Sequence, residues 1–276
     1  MSLINVSNLT FSYEGSYDNI FENVSFQIDT DWKLGFIGRN GRGKTTFLNL
    51  LLGKYAYSGN ISSTVKFEYF PYDVEDKSLY TIEVMKSICT ECMDWEIFRE
   101  ISLLDVQEDA LYRPFNTLSN GEQTKVLLAA LFLTASCFLL IDEPTNHLDI
   151  DARNVVQNYL KRKKGFILVS HDRSLLDQCV DHILSINKTN IEIQKGNFTS
   201  WWENKTLQDN FELAENKKLL KEIGRLSYAA KRSSNWSNKV EKSKYGTTNS
   251  GSKLDKGYVG HKAAKAMKRA KNIESR

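Results

Sequence analysis

The apolar positions of this 276-residue chain change period several times, and each change marks an element. From Leu3 to Ile28 they come in short bursts, with Val24, Phe26 and Ile28 at period two, the pattern of antiparallel strands. Leu34 to Ile37 reads as a short buried strand running into a glycine-rich turn, and Thr45 to Leu52 as a helix stopped by Gly53. Between about Asp73 and Ala135 the pattern is helical, with one weak break at Arg113–Pro114. The almost wholly apolar stretch Val126 to Ile141 is shorter than the roughly 20 residues a membrane span needs. It divides instead into a buried helix to about Leu133 and a buried strand from Cys137 to Ile141, closed by Asp142–Glu143. Asn154 to Lys164 is an amphipathic helix. Its basic last turn, Lys161 to Lys164, suits the helix dipole and the cap at Gly165, so it reads as structural rather than as a docking patch. Phe166 to Ser170 is a further buried strand. Strands alternating with helices imply an α/β fold with a mostly parallel sheet.

After Trp201–Trp202 the character changes. Leu207, Phe211, Ala214, Leu220, Ile223 and Ala230 fall at helical spacings in a charged background, predicting a long helix with one narrow apolar stripe. Lys244 to Gly260 has the composition of a loop, and Ala263 onward is helical again, a helix–loop–helix arm whose second helix is cut short at Arg276. Charge follows the same division. Lys205 to Arg276 holds 18 Lys and Arg against 7 Asp and Glu, a net of +11, whereas the preceding residues carry a net of −8. A basic tail on an acidic body points to an anionic partner, nucleic acid or a membrane surface. Of the 4 cysteines, Cys89 and Cys92 form a lone CxxC without a second pair or flanking histidines. They are expected to be ordinary thiols of a reducing cytosol. The opening residues MSLINVSNLTFSY have neither the basic start nor the apolar core of a signal peptide, and no membrane insertion is expected.

The chemistry concentrates at the ends of the predicted strands. Gly38–Arg39–Asn40–Gly41–Arg42–Gly43–Lys44–Thr45 matches the phosphate-loop pattern and lies where it should, between a strand and a helix. Glycines there let backbone N–H groups curl around phosphate oxygens, while Lys44 neutralises them and Thr45 reaches a magnesium ion. Thr46 follows as a further nucleotide-binding residue. The stretch from Leu140 to Asp149 reads LIDEPTNHLD and delivers two adjacent carboxylates to the polar end of a buried strand. In phosphoryl transfer Asp142 would help hold the metal and Glu143 would polarise the attacking water. Ser119–Asn120–Gly121–Glu122 opens the apolar helix as a capping box, and a glycine-bearing helix start is also an anion site.

In order and spacing, the phosphate loop, LSNGEQ, LLIDEPTNHLD and Val169–Ser170–His171–Asp172–Arg173 resemble the ATP-binding cassette. The resemblance implies that Tyr13 stacks on adenine and that His171 is the switch histidine at the γ-phosphate. It also implies that Asp149 faces a partner cassette, and that Ser119, Asn120, Gly121 and Glu122 form the signature of a partner site. EPTNHLD, together with Gly196–Asn197–Phe198–Thr199 before a long charged helix, resembles the ABC-F branch in particular. That likeness implies a P-loop cassette over 1–203, with an antiparallel β subdomain and a helical subdomain at about 73–135, and a basic inter-cassette arm over 204–276. It also implies ATP and Mg2+ as cofactors, a cytoplasmic location, a second cassette, and the ribosome and its rRNA as partners of the arm. The long arm looks most like the resistance branch acting against lincosamides, pleuromutilins and streptogramin A. The chain departs from the pattern in three ways. Tyr72 stands where the Q-loop glutamine is usual, Asn120 replaces the first signature glycine, and only one cassette is present, which leaves two half-sites. Two other readings share the motifs: the ATPase subunit of a membrane transporter, and a nucleotide-binding fragment without turnover.

Overall fold

The computed structural model describes residues 2–39, 41–146, 148–187, 190–242 and 256–274. The chain forms two compact units, Met1–Glu203 and Asn204–Arg276. In the first unit the elements are β1 (Leu3–Phe11), β2 (Phe21–Asp29), β3 (Lys33–Ile37), α1 (Lys44–Leu51), β4 (Ser58–Ser62), β5 (Lys66–Phe70), α2 (Thr81–Ile88), α3 (Asp94–Leu103) and α4 (Asn120–Leu133). They continue with β6 (Cys137–Asp142), α5 (Ile150–Arg162), β7 (Phe166–Val169), α6 (Arg173–Cys179), β8 (His182–Asn187) and β9 (Asn190–Lys195), and α7 (Phe198–Lys242) begins before the unit ends.

The larger sheet has the order β5-β6-β7-β3-β8-β9, parallel except for the β8–β9 pair. Its central strands are apolar throughout because both faces are covered. Phe138 and Leu140 of β6 enter one core with β1, β2 and α1, while Leu139 and Ile141 enter the other with the helices α2 to α6. The smaller sheet, β2-β1-β4, is antiparallel, as the period-two bursts predict. This is an α/β fold of the P-loop type, with β3 and β6 flanking β7. The C-terminal ends of these parallel strands open on the same edge, and that edge carries the site.

Several elements differ from the sequence pattern. Asp149 caps α5, accepting from Ala152 N at 2.7 Å, so the helix begins at Ile150 rather than Asn154. The stretch from Asp73 to Ala135 holds three α-helices and two 3-10 turns, Glu108–Tyr112 and Phe115–Thr117. The break at Arg113–Pro114 is there, where Pro114 bridges to Tyr80, but the chain also turns after α2 and α3. At the first of these turns Cys89 and Cys92 are joined as a disulfide, not left as thiols. The turn brings their Cα atoms to 5.5 Å, inside the range a disulfide spans.

The basic run at the end of α5 has a structural use. Lys163 reaches Glu100 of α3, which is 1% exposed and also accepts from the Tyr159 hydroxyl at 2.5 Å. Burial by itself would raise the Glu100 carboxyl, but hydrogen bonds from Lys163, Tyr159 and Arg99 outweigh it and hold the group below the usual range. Lys163→Met would leave that charge buried and is expected to cost about 3 kcal/mol, read as a lower urea midpoint at neutral pH. Because the folded carboxyl is depressed, the stabilisation is present above the unfolded value and lost as pH falls through the folded one. The difference between parent and variant should therefore shrink on acidification.

In the second unit α7 runs on to Lys242 and α8 (Lys256–Glu274) returns against it. The Ser233 hydroxyl donates to Ala266 O at 3.0 Å, and Ser237 to Ala263 O at 2.8 Å, an antiparallel pairing. Ala230, Val259, Ala263, Ala266 and Ala270 are buried there, small side chains that allow close approach. This packing explains why α8 starts at Lys256, inside the stretch with loop composition, rather than at Ala263. The rest of that loop, 244–255, lies outside the described residues. Of the predicted apolar stripe, Ala230 is buried, whereas Leu207, Phe211, Leu220 and Ile223 are exposed.

Candidate nucleotide site

β3 ends at Ile37 and the chain turns through the phosphate loop into α1. Gly43, the residue before the helix, has φ +94°, and a Cβ there would lie 2.5 Å from Ile20 Cγ2. Only glycine satisfies both conditions. Lys44 and Thr45 then open α1, where unpaired backbone N–H groups and the helix dipole favour an anion. Lys44 Nζ donates to Gly38 O at 2.8 Å. Burial lowers its pKa, partly offset by the charges of Glu143 and Asp142.

β6 brings the carboxylates to the same edge. Thr45 Oγ1 donates to Asp142 Oδ2 at 3.3 Å, and the Tyr69 hydroxyl donates to the same oxygen at 3.2 Å. Burial, then the Asp142 charge and that hydrogen bond, push the Tyr69 phenol up to about 12. Glu143 takes φ +49° and donates its N–H to Val169 O at 2.9 Å. Its carboxyl is raised, chiefly by burial and against the opposing influence of His171. His171 N donates to Glu143 Oε2 at 3.4 Å, and His171 Nε2 lies 3.5 Å from Oε1. That Oε1 is buried and has no hydrogen-bond partner among the described residues. A carboxylate lining the cleft with one oxygen free of hydrogen bonds retains the capacity to act as a general base.

These groups line one cleft of about 670 Å³. Tyr13, Gly41, Gly43, Lys44, Thr45, Thr46, Asp142, Glu143 and His171 all face it, so the sequence-derived nucleotide residues converge. Gly38, Arg39 and Arg42 belong to the same loop, and Asn40 lies outside the described residues. The Tyr13 hydroxyl is 2.8 Å from Thr46 Oγ1, and its ring meets Phe11 and Tyr55 edge-on. The second group of predicted residues sits elsewhere. Ser119 caps α4 and trades hydrogen bonds with Glu122, whose carboxyl is held low first by the Ser119 N–H and then by its hydroxyl. Gly121 packs on Leu148, and Asp149 caps α5. None of Ser119, Asn120, Gly121, Glu122 or Asp149 lines the cleft. Tyr69 does, and sequence reasoning missed it by weighing Tyr72, which is 36% exposed and outside the lining.

The oxygen donors Thr45 and Asp142 suit a hard cation. Among the described residues no cluster of three acidic, His or Cys side chains could hold a metal alone. As a pair of oxygen donors, Thr45 and Asp142 fit magnesium, which is commonly held by one or two protein ligands together with substrate phosphates.

Residues 21–146 match the family model described as ABC transporter. ABC transporter F family member 5 of Arabidopsis thaliana is 27% identical over 210 residues, 73% of this chain and 30% of that protein. The ribosome protection protein VmlR of Bacillus subtilis is 31% identical over 201 residues, 69% of this chain and 35% of that protein. The chain thus matches about a third of the length of these relatives. A bacterial Atm1-family ABC exporter solved with ATP bound superposes with a TM-score of 0.62 at 16% identity, over 78% of this chain and 42% of the other. That likeness bears on the fold, an ABC-type ATP-binding cassette. No helix among the described residues is long and apolar enough to cross a membrane.

Proposed function

We propose that this chain, an ATP-binding cassette by its fold and its family match, is the cassette and arm of an ABC-F factor that hydrolyses ATP and acts on the ribosome. In this reading ATP and Mg2+ occupy the cleft, with phosphates on the loop from Gly38 to Thr46 and adenine against Tyr13. Magnesium supplies charge neutralisation at the phosphates, and Thr45 and Asp142 would hold it. Lys44 neutralises phosphate oxygens, Glu143 takes the proton of the attacking water, and His171 orients Glu143. Ser119, Asn120, Gly121, Glu122 and Asp149 serve the site of a second cassette, from elsewhere in a longer protein or from a second copy. The protein works in the cytoplasm, and its resemblance to the resistance branch makes ribosome protection against antibiotics the proposed outcome.

The observation that carries the ribosome reading is the second unit. It couples a net charge of +11 to an α7–α8 helical pair and, among the described residues, has no hydrophobic span. Long basic helices neutralise RNA phosphates, and such binding weakens as salt displaces the released counterions. Co-sedimentation with ribosomes is therefore expected to lose at least about a hundredfold in affinity between about 50 and 300 mM KCl. Pelleting that ignores salt would remove the arm from the interaction. Co-fractionation with membranes in place of ribosomes would favour the transporter reading.

A further inference from the structure

We infer that Tyr69 is a positioning residue for the magnesium carboxylate, supplying the polar contact that Tyr72 does not. The assignment rests on the proposed nucleotide site and comes from strand register. β5 pairs with β6 in parallel, with Tyr69 opposite Leu140. Leu140 and Asp142 share a face of the sheet, two residues and about 6.6 Å apart along the strand. A phenol at Tyr69 spans that interval, and its hydroxyl donates to Asp142 Oδ2 at 3.2 Å.

The surroundings fix the ring for this purpose. Lys54 Nζ lies 5.5 Å from its centroid, and the Tyr69 side chain packs on the core shared by β6 and α1. Thr45 donates to the same Asp142 oxygen, but its hydroxyl is also the group expected to turn toward the metal. Tyr69 has no such second task. Its hydrogen bond can hold the Asp142 carboxylate in one orientation whether or not Thr45 is engaged elsewhere. A charge-assisted hydrogen bond of this kind is among the stronger ones a side chain makes. Tyr72 is exposed and does not line the cleft, whereas Tyr69 lines it and bonds Asp142.

Tyr69→Phe removes one oxygen and keeps the ring. The test measures binding of a fluorescent ATP analogue to the full chain in EDTA and in saturating Mg2+, with thermal melting to register the fold. Affinity in EDTA is expected to stay within about twofold of the parent, while the gain on adding Mg2+ falls about five- to tenfold. Tyr72→Phe should leave both values unchanged. Because the Mg2+ gain is a ratio taken within each variant, a general loss of folding weakens both affinities and counts against the proposal. An unchanged gain in Tyr69→Phe, or a reduced gain in Tyr72→Phe alone, overturns the role of Tyr69 and leaves the nucleotide site standing. Failure of the parent chain to bind the analogue at all refutes the nucleotide reading, and this assignment with it.

Discussion

Changing Glu143 to Gln is expected to cut ATP turnover about a thousandfold, about 4 kcal/mol of barrier, with nucleotide affinity within about threefold of the parent. The substitution preserves the shape of the side chain and removes its ability to take a proton. The geometry says why that should matter so much here. Glu143 Oε1 is buried without a hydrogen-bond partner among the described residues, while Oε2 is tethered by the His171 N–H. One oxygen is held and the other carries no hydrogen bond. The raised carboxyl adds a second readout. A group whose carboxyl is raised by burial costs stability when ionised, so the neutral glutamine should melt at the parental temperature or above it. Lost turnover with retained or improved stability is the signature of a residue placed for chemistry rather than for folding. Phosphate release and equilibrium binding on the same preparation check this. Parental turnover in Glu143→Gln would take Glu143 out of the reaction.

Much of the fold is legible in the residue pattern because the large sheet is covered on both faces. Continuous apolar runs then mark its strands, and β3, β6 and β7 stand within a residue or two of where the runs predict. The division of Val126 to Ile141 into α4 and β6 follows from the same logic, with the turn at Ser136 adopting φ +57°. Gly43 is legible because its φ of +94° and its approach to Ile20 demand glycine. Asp142–Glu143 is legible through its chemistry, two adjacent carboxylates at a strand end, and not through backbone geometry, since Glu143 stands at φ +49°. Other features depend on contacts distant in sequence. Nothing in Lys256 to Gly260 predicts helix, since Gly257 and Gly260 argue against it, and packing on α7 decides otherwise. Tyr69 is an ordinary strand aromatic until β5 is registered against β6. Asp149 reads as a residue for a partner cassette, yet its carboxylate already caps α5. The two roles are compatible, but only the cap is visible in this chain.

The remaining large effect concerns the site's completeness. The cleft holds the phosphate loop, Asp142, Glu143 and His171, whereas Ser119 and Gly121 open α4 outside its lining. If the signature of one cassette must close over the phosphates of another, a single chain can bind ATP but cannot turn it over alone. Association then limits the reaction, and the active fraction follows mass action. Specific ATPase activity should therefore rise with chain concentration, nearly in proportion while dimers are scarce, and ATP binding per chain should stay constant. The most direct test of such a divided site is turnover per chain across about a hundredfold range of concentration. Two half-sites that must meet predict activity that climbs through that range. Activity per chain that is the same at both ends would mean that one cassette contains a complete site, and would contradict the division.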